Sequence, residues 1–304
     1  MATSVTVSIC PNATSEPPHQ SLETINSIFA KTERSCSRFD QTSDLSKINS
    51  APDDWHAVTP ICFAAIREAH SAYLETRGLF DPRILNDLVS LGYEESWTVR
   101  RPDAKSSSVE RERKPLAEWH PQFEANARVR VGKLPIDLGG IGKGLALRWS
   151  SQAIDSEQAD FLIEAGGDCA CSGQGPDGQG WNIGVQNPYN PDGDPVMVLR
   201  LSDAAVCTSS IAVRSWWRNG ALRHHIVDPK TGQPGKIGLA AVTVVDQDPA
   251  EAEVWSKSLF LIGRSNIREF SESVGKAAVW VTDNGETVTN SLIENHIIWR
   301  NGSL

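Results

Sequence analysis

Four glycines fall within six positions of one segment, Ile136 to Trp149, which reads IDLGGIGKGLALRW. That density interrupts regular structure, because glycine loses more conformational freedom on ordering than any other residue. The segment therefore reads as a corner. A strand enters at Asp137, a turn is built on Gly139, Gly140, Gly142 and Gly144, and a helix leaves through Ala146. At such a corner backbone N–H groups can approach an anion closely, and the helix N-terminus adds a favourable partial charge. Lys143 adds a full positive charge in the same place. Neither the G-x-x-x-x-G-K-[ST] phosphate loop nor G-x-G-x-x-G is matched. On glycine content alone, a tight turn with a surface lysine is an equal reading.

The rest of the chain alternates short elements. Val5 to Ile9 (VTVSI) has the period of a strand. Leu22, Ile25, Ile28 and Phe29 share one face of a helix over Leu22–Arg34. A short helical turn begins at Ser43. A longer helix runs from Pro60 to Thr76, with Ile61, Ala64, Ala65, Ala69 and Ala72 as its buried stripe, and stops before Gly78. After the turn Gly78–Pro82 another helix extends through Leu91. The second half sets β-like runs (Phe161–Ile163, Trp181–Val185, Val196–Leu201, Ala240–Val245, Ala277–Val281) around one clear helix, Pro249–Leu261. Elements in this order predict an α+β (mixed α/β) architecture, not a bundle or a sandwich.

Composition narrows the function classes. A formal charge of −9 leaves no global electrostatic footprint for nucleic acid. The longest apolar stretch, residues 237–245, falls far short of the ~18 residues that cross a bilayer, so no membrane insertion is expected. MATSVTVSIC has neither a basic n-region nor an apolar h-region, and a cytoplasmic location is expected. Six cysteines are too sparse for a disulfide framework. Cys169 and Cys171, two apart in a strand, put both thiols on one face and read as small buried residues. Between Val99 and Lys133 the chain is irregular, with Arg100, Arg101, Lys105, Arg111, Arg113 and Lys114 around a serine run, and most of it reads as exposed loop with isolated strands. The ten tryptophans, Trp216 and Trp217 among them, read as core or rim packing.

Two further stretches carry chemistry. Glu164-Ala165-Gly166-Gly167-Asp168 follows the apolar run FLI, where a carboxylate behind two glycines can meet a ligand or cap a turn. His224-His225-Ile226-Val227-Asp228 precedes the turn Pro-Lys-Thr-Gly. Alternation sends His225 and Val227 to one face and His224, Ile226 and Asp228 to the other. A histidine so placed can act as a general base or be structural. The sequence contains no G-x-S-x-G elbow, no H-E-x-x-H and no kinase signature set.

In this order the three stretches resemble the FAD:protein FMN transferase (ApbE-like) family. Its hallmarks stand here as DLGGIGKG (137–144), AGGD (165–168) and HIVDPKTG (225–232), with SDLSKIN (43–49), GLFDP (78–82), WNIGVQNP (181–188) and AVCTSS (205–210) around them. The resemblance spans essentially the whole chain and implies a single catalytic unit with mixed β-sheets flanked by helices. Within it, a helical and strand part over about 1–135 and a phosphate-binding and catalytic part over about 136–304 form two subdomains. Members cleave FAD and transfer FMN to a Thr or Ser hydroxyl of an acceptor flavoprotein with a D-x-x-[ST]-G-A-[ST]-like motif, releasing AMP. By similarity His225 is the base, and Asp168 shapes the flavin or phosphate site. The Gly139–Gly144 loop and Lys143 hold the pyrophosphate, and Asp137, Gly139, Gly140, Lys143, Gly144 and Gly167 count among the FAD-binding residues. Ser46, Asn49, Thr208 and Ser209 line the FAD pocket. An FAD pyrophosphatase, with water as acceptor, and a non-catalytic FAD-binding protein are the alternatives.

One departure bears on the metal. Many members have D-A-L-A-T-A-L-F in a late helix, whose Asp and Thr bind Mg²⁺ together with a backbone carbonyl. Here the helix reads EVWSKSLF, with Glu253 for Asp and Lys257 for Thr. Either the Lys257 ammonium takes the ion's role in catalysis, or Mg²⁺ binds through Glu253, the Gly142 carbonyl and FAD itself.

Overall fold

The computed structural model describes residues 4–11, 19–95, 116–154, 159–212, 214–218, 220–235 and 238–302. The basic cluster from Arg100 to Lys114 lies outside them. Seven α-helices are described: α1 (His19–Cys36), α2 (Asp44–Ser50), α3 (Pro60–Glu75), α4 (Leu85–Ser90), α5 (Gly142–Ala153), α6 (Pro249–Ile262) and α7 (Ile267–Ser273). The residues divide into two compact units. One holds 29–142 and 213–235; the other holds 3–28, 143–212 and 236–304.

The second unit is built on a seven-stranded sheet whose spatial order is the chain order: Val5–Pro11, Ala159–Ala165, Asp168–Ser172, Ala204–Ser210, Leu239–Asp246, Ala277–Thr282, Thr287–Thr289. Every pairing in it is antiparallel. It is a meander with long excursions between its strands, and helices accompany the sheets as the α+β class requires. One face packs on a three-stranded sheet of Trp181–Val185, Met197–Leu201 and Ile297–Arg300. That core contains Cys169 and Cys171, both buried as free thiols beside Trp181, Met197 and Leu199. The other face carries α6, lying on the strands Ala204–Ser210 and Leu239–Asp246.

A strand covered on both faces needs no polar side, which explains the unbroken run LAAVTVV, buried throughout. The same logic applies to α6, where ten of fourteen residues are buried. Asp248 caps it by accepting from the Ala250 N–H, Pro249 occupies its first turn, and Gly263 (φ +83°) follows its end.

In the first unit, α3 starts where expected, with the Thr59 hydroxyl accepting from the Cys62 N–H. Its buried stripe is Cys62, Ala65, Ile66, Ala69 and Ala72; Ile61 and Ala64 are only half-buried. PICFAAIREA has apolar residues all round its first turns, so spacing from Ile61 did not select a face, whereas 62, 65, 66 and 69 keep the i, i+3, i+4, i+7 pattern. Arg83 forms a buried two-toothed contact with Asp81 at 2.7 and 3.0 Å and donates to the Ala117 carbonyl. This fixes the GLFDP turn, whose Pro82 carbonyl in turn accepts from the Asp137 N–H at 2.7 Å.

Candidate functional site

The glycine corner is real, but no strand enters it. Residues 135–138 belong to no strand. Their place in a ladder is taken by one side chain. Asn49, on α2, accepts from the Ile136 N–H and donates to the Ile136 carbonyl, both at 2.8 Å. A side-chain amide has the donor and acceptor of a peptide group, so Asn49 substitutes for a neighbouring strand. α2 is held to this task by Ser43, which caps it by accepting from the Ser46 N–H. The Ser46 hydroxyl lies 3.5 Å from the carbonyls of Ser37 and Arg38.

The next residue closes the turn. One oxygen of Asp137 accepts from the Gly139 N–H at 2.8 Å, and the other meets the Arg38 guanidinium at 2.7 Å. A Cβ on Gly139 would stand 2.8 Å from Asp137 Oδ1, so a side chain here would displace the carboxylate from the Gly139 N–H. Arg38 is itself packed over the rings of Phe39 and Tyr93, at 4.1 and 4.7 Å. Sequence reading passed over Arg38, because an isolated arginine whose partner is distant in the chain leaves no local pattern. Ile141 and Gly142 N–H groups return to the Leu138 carbonyl, and α5 begins at Gly142.

The histidine stretch belongs to the same unit. Ser215–Arg218 and Ala221–His224 form a hairpin that ends at His224, and Val227–Asp228 pairs with Gln233–Pro234 in a second one. The expected alternation through residues 224–228 is therefore broken: Ile226 and Val227 are both buried. The break arises because the chain changes partner strand at 225–226. His224 donates its Nε2–H to the Gly235 carbonyl at 2.9 Å, and His225 turns Nδ1 toward the Arg214 carbonyl at 3.3 Å. A carbonyl only accepts, so in that contact Nδ1 carries the proton and the neutral ring presents its lone pair at Nε2. The Asp228 carboxylate accepts from the Lys230 N–H at 2.8 Å and shapes the Pro-Lys-Thr-Gly turn. Trp216 donates to the Leu91 carbonyl at 2.8 Å and packs on Tyr93, whereas Trp217 is 61% exposed.

The other unit gathers charges. Gly166 and Gly167 have φ of +61° and +89°, and Ala165 pairs with Asp168 across them, as a two-residue hairpin with left-handed central residues requires. AGGD is thus a strand–turn–strand corner that delivers Asp168 at the start of a central strand, 1% exposed. One Asp168 oxygen accepts from the Thr208 N–H at 2.9 Å, and the other pairs with the Lys143 ammonium. Burial alone would lower the Lys143 pKa, but the charges of Asp168 and Glu253 outweigh it and raise the pKa above the ordinary lysine value. Lys143 is firmly protonated.

Close helix packing completes the cluster. A Cβ on Gly144 would meet the Pro249 carbonyl oxygen at 2.5 Å and the Ala250 Cα at 2.6 Å, so only glycine lets α5 lie this near α6. The same approach allows the Gly144 N–H to donate to Glu253 Oε2 at 2.8 Å. Glu253 Oε1 faces the Lys257 ammonium at 3.2 Å, one helical turn on. Thr208 shares its hydroxyl with Thr243 at 2.8 Å, and Ser209 is buried against the Ser256 hydroxyl at 2.8 Å. Cys207 lies beneath, its thiol pKa raised by burial and by Asp168 and Glu253.

Two assemblies result. Asn49, Asp137, Gly139, Gly140 and His225 belong to one unit; Lys143, Gly144, Asp168, Thr208, Glu253 and Lys257 belong to the other, where they stand side by side.

Comparison with known proteins gives a consistent set of relatives. The ApbE family matches residues 1–280. The FAD:protein FMN transferase of Salmonella typhimurium is 26% identical over 154 residues, covering 50% of this chain and 44% of that protein. The chain thus spans less than half the length of that relative. The protein of the same name from Treponema pallidum is 24% identical over 278 residues, covering 83% of this chain and 75% of the relative. The crystal structure of the ApbE protein from Thermotoga maritima superposes with a TM-score of 0.80 at 27% identity, over 97% of this chain and 96% of that one.

Proposed function

Because the chain belongs to the ApbE family, we propose that it cleaves FAD and transfers the FMN half to a Thr or Ser hydroxyl of an acceptor flavoprotein in the cytoplasm, releasing AMP. The observation that carries this reading is Lys143. It is a protonated ammonium, one-fifth exposed, held by a nearly fully buried carboxylate in the first turn of a glycine-led helix. That arrangement suits an anion whose charge must be neutralised without losing position. The glycine corner that leads to Lys143 is fixed by Asn49 and Arg38, and because the N–H groups of Gly139, Ile141, Gly142 and Gly144 are engaged within the protein, the pyrophosphate is assigned to the Lys143 ammonium.

In the reaction the acceptor oxygen attacks the phosphorus on the FMN side. The P–O bond to AMP breaks and its electron pair leaves with AMP. The hydroxyl proton passes to Nε2 of His225, the ring nitrogen that carries no proton when Nδ1–H donates to the Arg214 carbonyl. Asp168 keeps Lys143 in place while charge shifts onto the leaving phosphate. Ser46, Thr208 and Ser209 are the remaining candidates for the FAD pocket, with Gly167 at the turn that delivers Asp168. The acceptor carries a D-x-x-[ST]-G-A-[ST]-like motif.

The test is incubation with FAD and a protein bearing that motif, read by intact mass and AMP release. An FMN-sized mass gain with equimolar AMP is expected. AMP without a mass gain would replace the transferase by a pyrophosphatase. His225→Ala should reduce turnover by about 10²–10⁴-fold while FAD still binds; FAD binding lost together with turnover would make His225 a structural residue.

A further inference from the structure

The resemblance implies a Mg²⁺ ion held by the side chains at positions 253 and 257 with a backbone carbonyl from the glycine corner. The residues present do not fit it. Mg²⁺ takes oxygen ligands at about 2.0–2.1 Å in near-octahedral geometry, and a protonated lysine has three donors and no acceptor. Lys257 therefore offers no ligand, and its ammonium covers Glu253 Oε1 at 3.2 Å. The other oxygen of Glu253 is engaged by the Gly144 N–H. Asp168, the neighbouring buried carboxylate, is likewise taken at both oxygens, by Lys143 and by the Thr208 N–H. Among the described residues no three His, Cys, Asp or Glu side chains come together as a ligand set.

We infer that this chain works on the FAD phosphates without a divalent ion, using Lys257 and Lys143 as a pair of fixed cations. The inference rests on the reading of the chain as an FAD-cleaving enzyme. Lys257 has the construction such a role needs. Its Nζ is tethered to two oxygens of one residue, Glu253 Oε1 at 3.2 Å and the Glu253 carbonyl at 3.4 Å. Two of its three N–H bonds are thereby directed and one remains for a phosphate oxygen. Glu253 is only 1% exposed and Lys257 20%, so the carboxylate forms a rigid floor and the ammonium faces outward. A cation anchored this way requires no reorganisation when negative charge develops beside it. The Lys143–Asp168 pair repeats the construction, at 19% and 2% exposure.

The experiment has two arms. Turnover of FAD, read as AMP release, is measured with EDTA and with added Mg²⁺. Mn²⁺ binding is measured by electron paramagnetic resonance on the full chain with FAD, against FAD alone. For the unaltered chain, turnover should agree within about twofold between EDTA and Mg²⁺, and no Mn²⁺ should bind beyond the FAD control. Lys257→Thr should lose at least about tenfold in EDTA, regain it in Mg²⁺ and acquire a bound Mn²⁺. Lys257→Ser serves if the threonine variant does not fold, and Lys257→Arg should keep its resistance to EDTA. The inference is overturned if the unaltered chain needs Mg²⁺, if it binds stoichiometric Mn²⁺ that Glu253→Gln abolishes, or if the Lys257 variants stay indifferent to metal. Should no AMP form at all, the enzymatic reading fails, and the Mn²⁺ arm still decides whether Lys257 excludes the ion.

Discussion

The motif side chains of the two units are held in place by different means. In the unit of 29–142 and 213–235, Asn49, Asp137, His225 and Asp228 all bond the chain's own backbone. In the other, Lys143, Asp168, Glu253 and Lys257 bond chiefly each other, and the backbone serves them through the N–H groups of Thr208 and Gly144. The first set fixes the shape of a loop. The second fixes the position of charge. Loss of a loop-shaping residue should be felt as local disorder and weaker ligand binding, whereas loss of a charged partner leaves an uncompensated ion in a buried place.

The largest expected effect follows from that difference. Asp168→Asn keeps the shape of the side chain and removes the counter-charge of Lys143. Breaking a buried pair costs about 3–5 kcal/mol, and the lower end applies because the ammonium keeps one-fifth of its exposure. Urea unfolding at neutral pH should show a loss of about 3 kcal/mol, with turnover lost as well. The pH dependence sharpens the test. The Lys143 pKa is raised in the fold, so its contribution is fully present below the unfolded lysine value of about 10.4 and is lost as pH rises through the folded value. The unaltered chain should lose stability on that alkaline limb and Asp168→Asn should lose much less. Equal limbs would mean that the pair does not set Lys143.

Asn49→Ala is the matching change on the other side. Two hydrogen bonds to Ile136 are removed at a site only partly buried, a loss of about 2 kcal/mol. Its signature should be local: faster amide exchange at Ile136 and Gly139, and weaker FAD binding with little change in maximal rate. Asp168→Asn should leave those amides protected. If both variants give the same exchange pattern, the distinction between shape-holding and charge-holding residues is wrong.

What could be read in the sequence divides along similar lines. Features set by near neighbours were legible: the strand that ends at AGGD, the Pro249 helix, the stop before Gly78, and Cys169 and Cys171 on one buried face. Features set by distant partners were not. A strand is expected into Asp137, ahead of the glycine corner, and nothing local shows that Asn49 supplies the hydrogen bonds of Ile136 instead. The alternation through His224–Asp228 failed because the chain exchanges one partner strand for another within two residues. Ala204–Ser210 forms a central strand although AAVCTSS has no apolar–polar alternation in sequence, since α6 packs over its small residues. The residues proposed to carry the chemistry are assigned through motif resemblance. Their spacing alone left each of them open.

The smallest effect tests how tightly the charge cluster is packed, and it lies within a single helix. Gly142 and Gly144 both sit in the first turn of α5. An added methyl at Gly142 meets nothing within 4 Å, while one at Gly144 meets the backbone of Pro249 and Ala250 at 2.5–2.8 Å. Gly142→Ala should therefore be neutral or stabilising by about 0.5 kcal/mol, through the lower entropy of the unfolded chain. Gly144→Ala must push α6 away, at a cost of about 1.5 kcal/mol. It should also lengthen the bond from the Gly144 N–H to Glu253, the contact that leaves Glu253 Oε1 facing Lys257. Gly144→Ala should consequently lower turnover more than its modest loss of stability explains, and Gly142→Ala should not. Unfolding in urea and AMP release on the same two variants separate these effects; equal behaviour of the two would show that the approach of α5 to α6 is looser than a glycine contact.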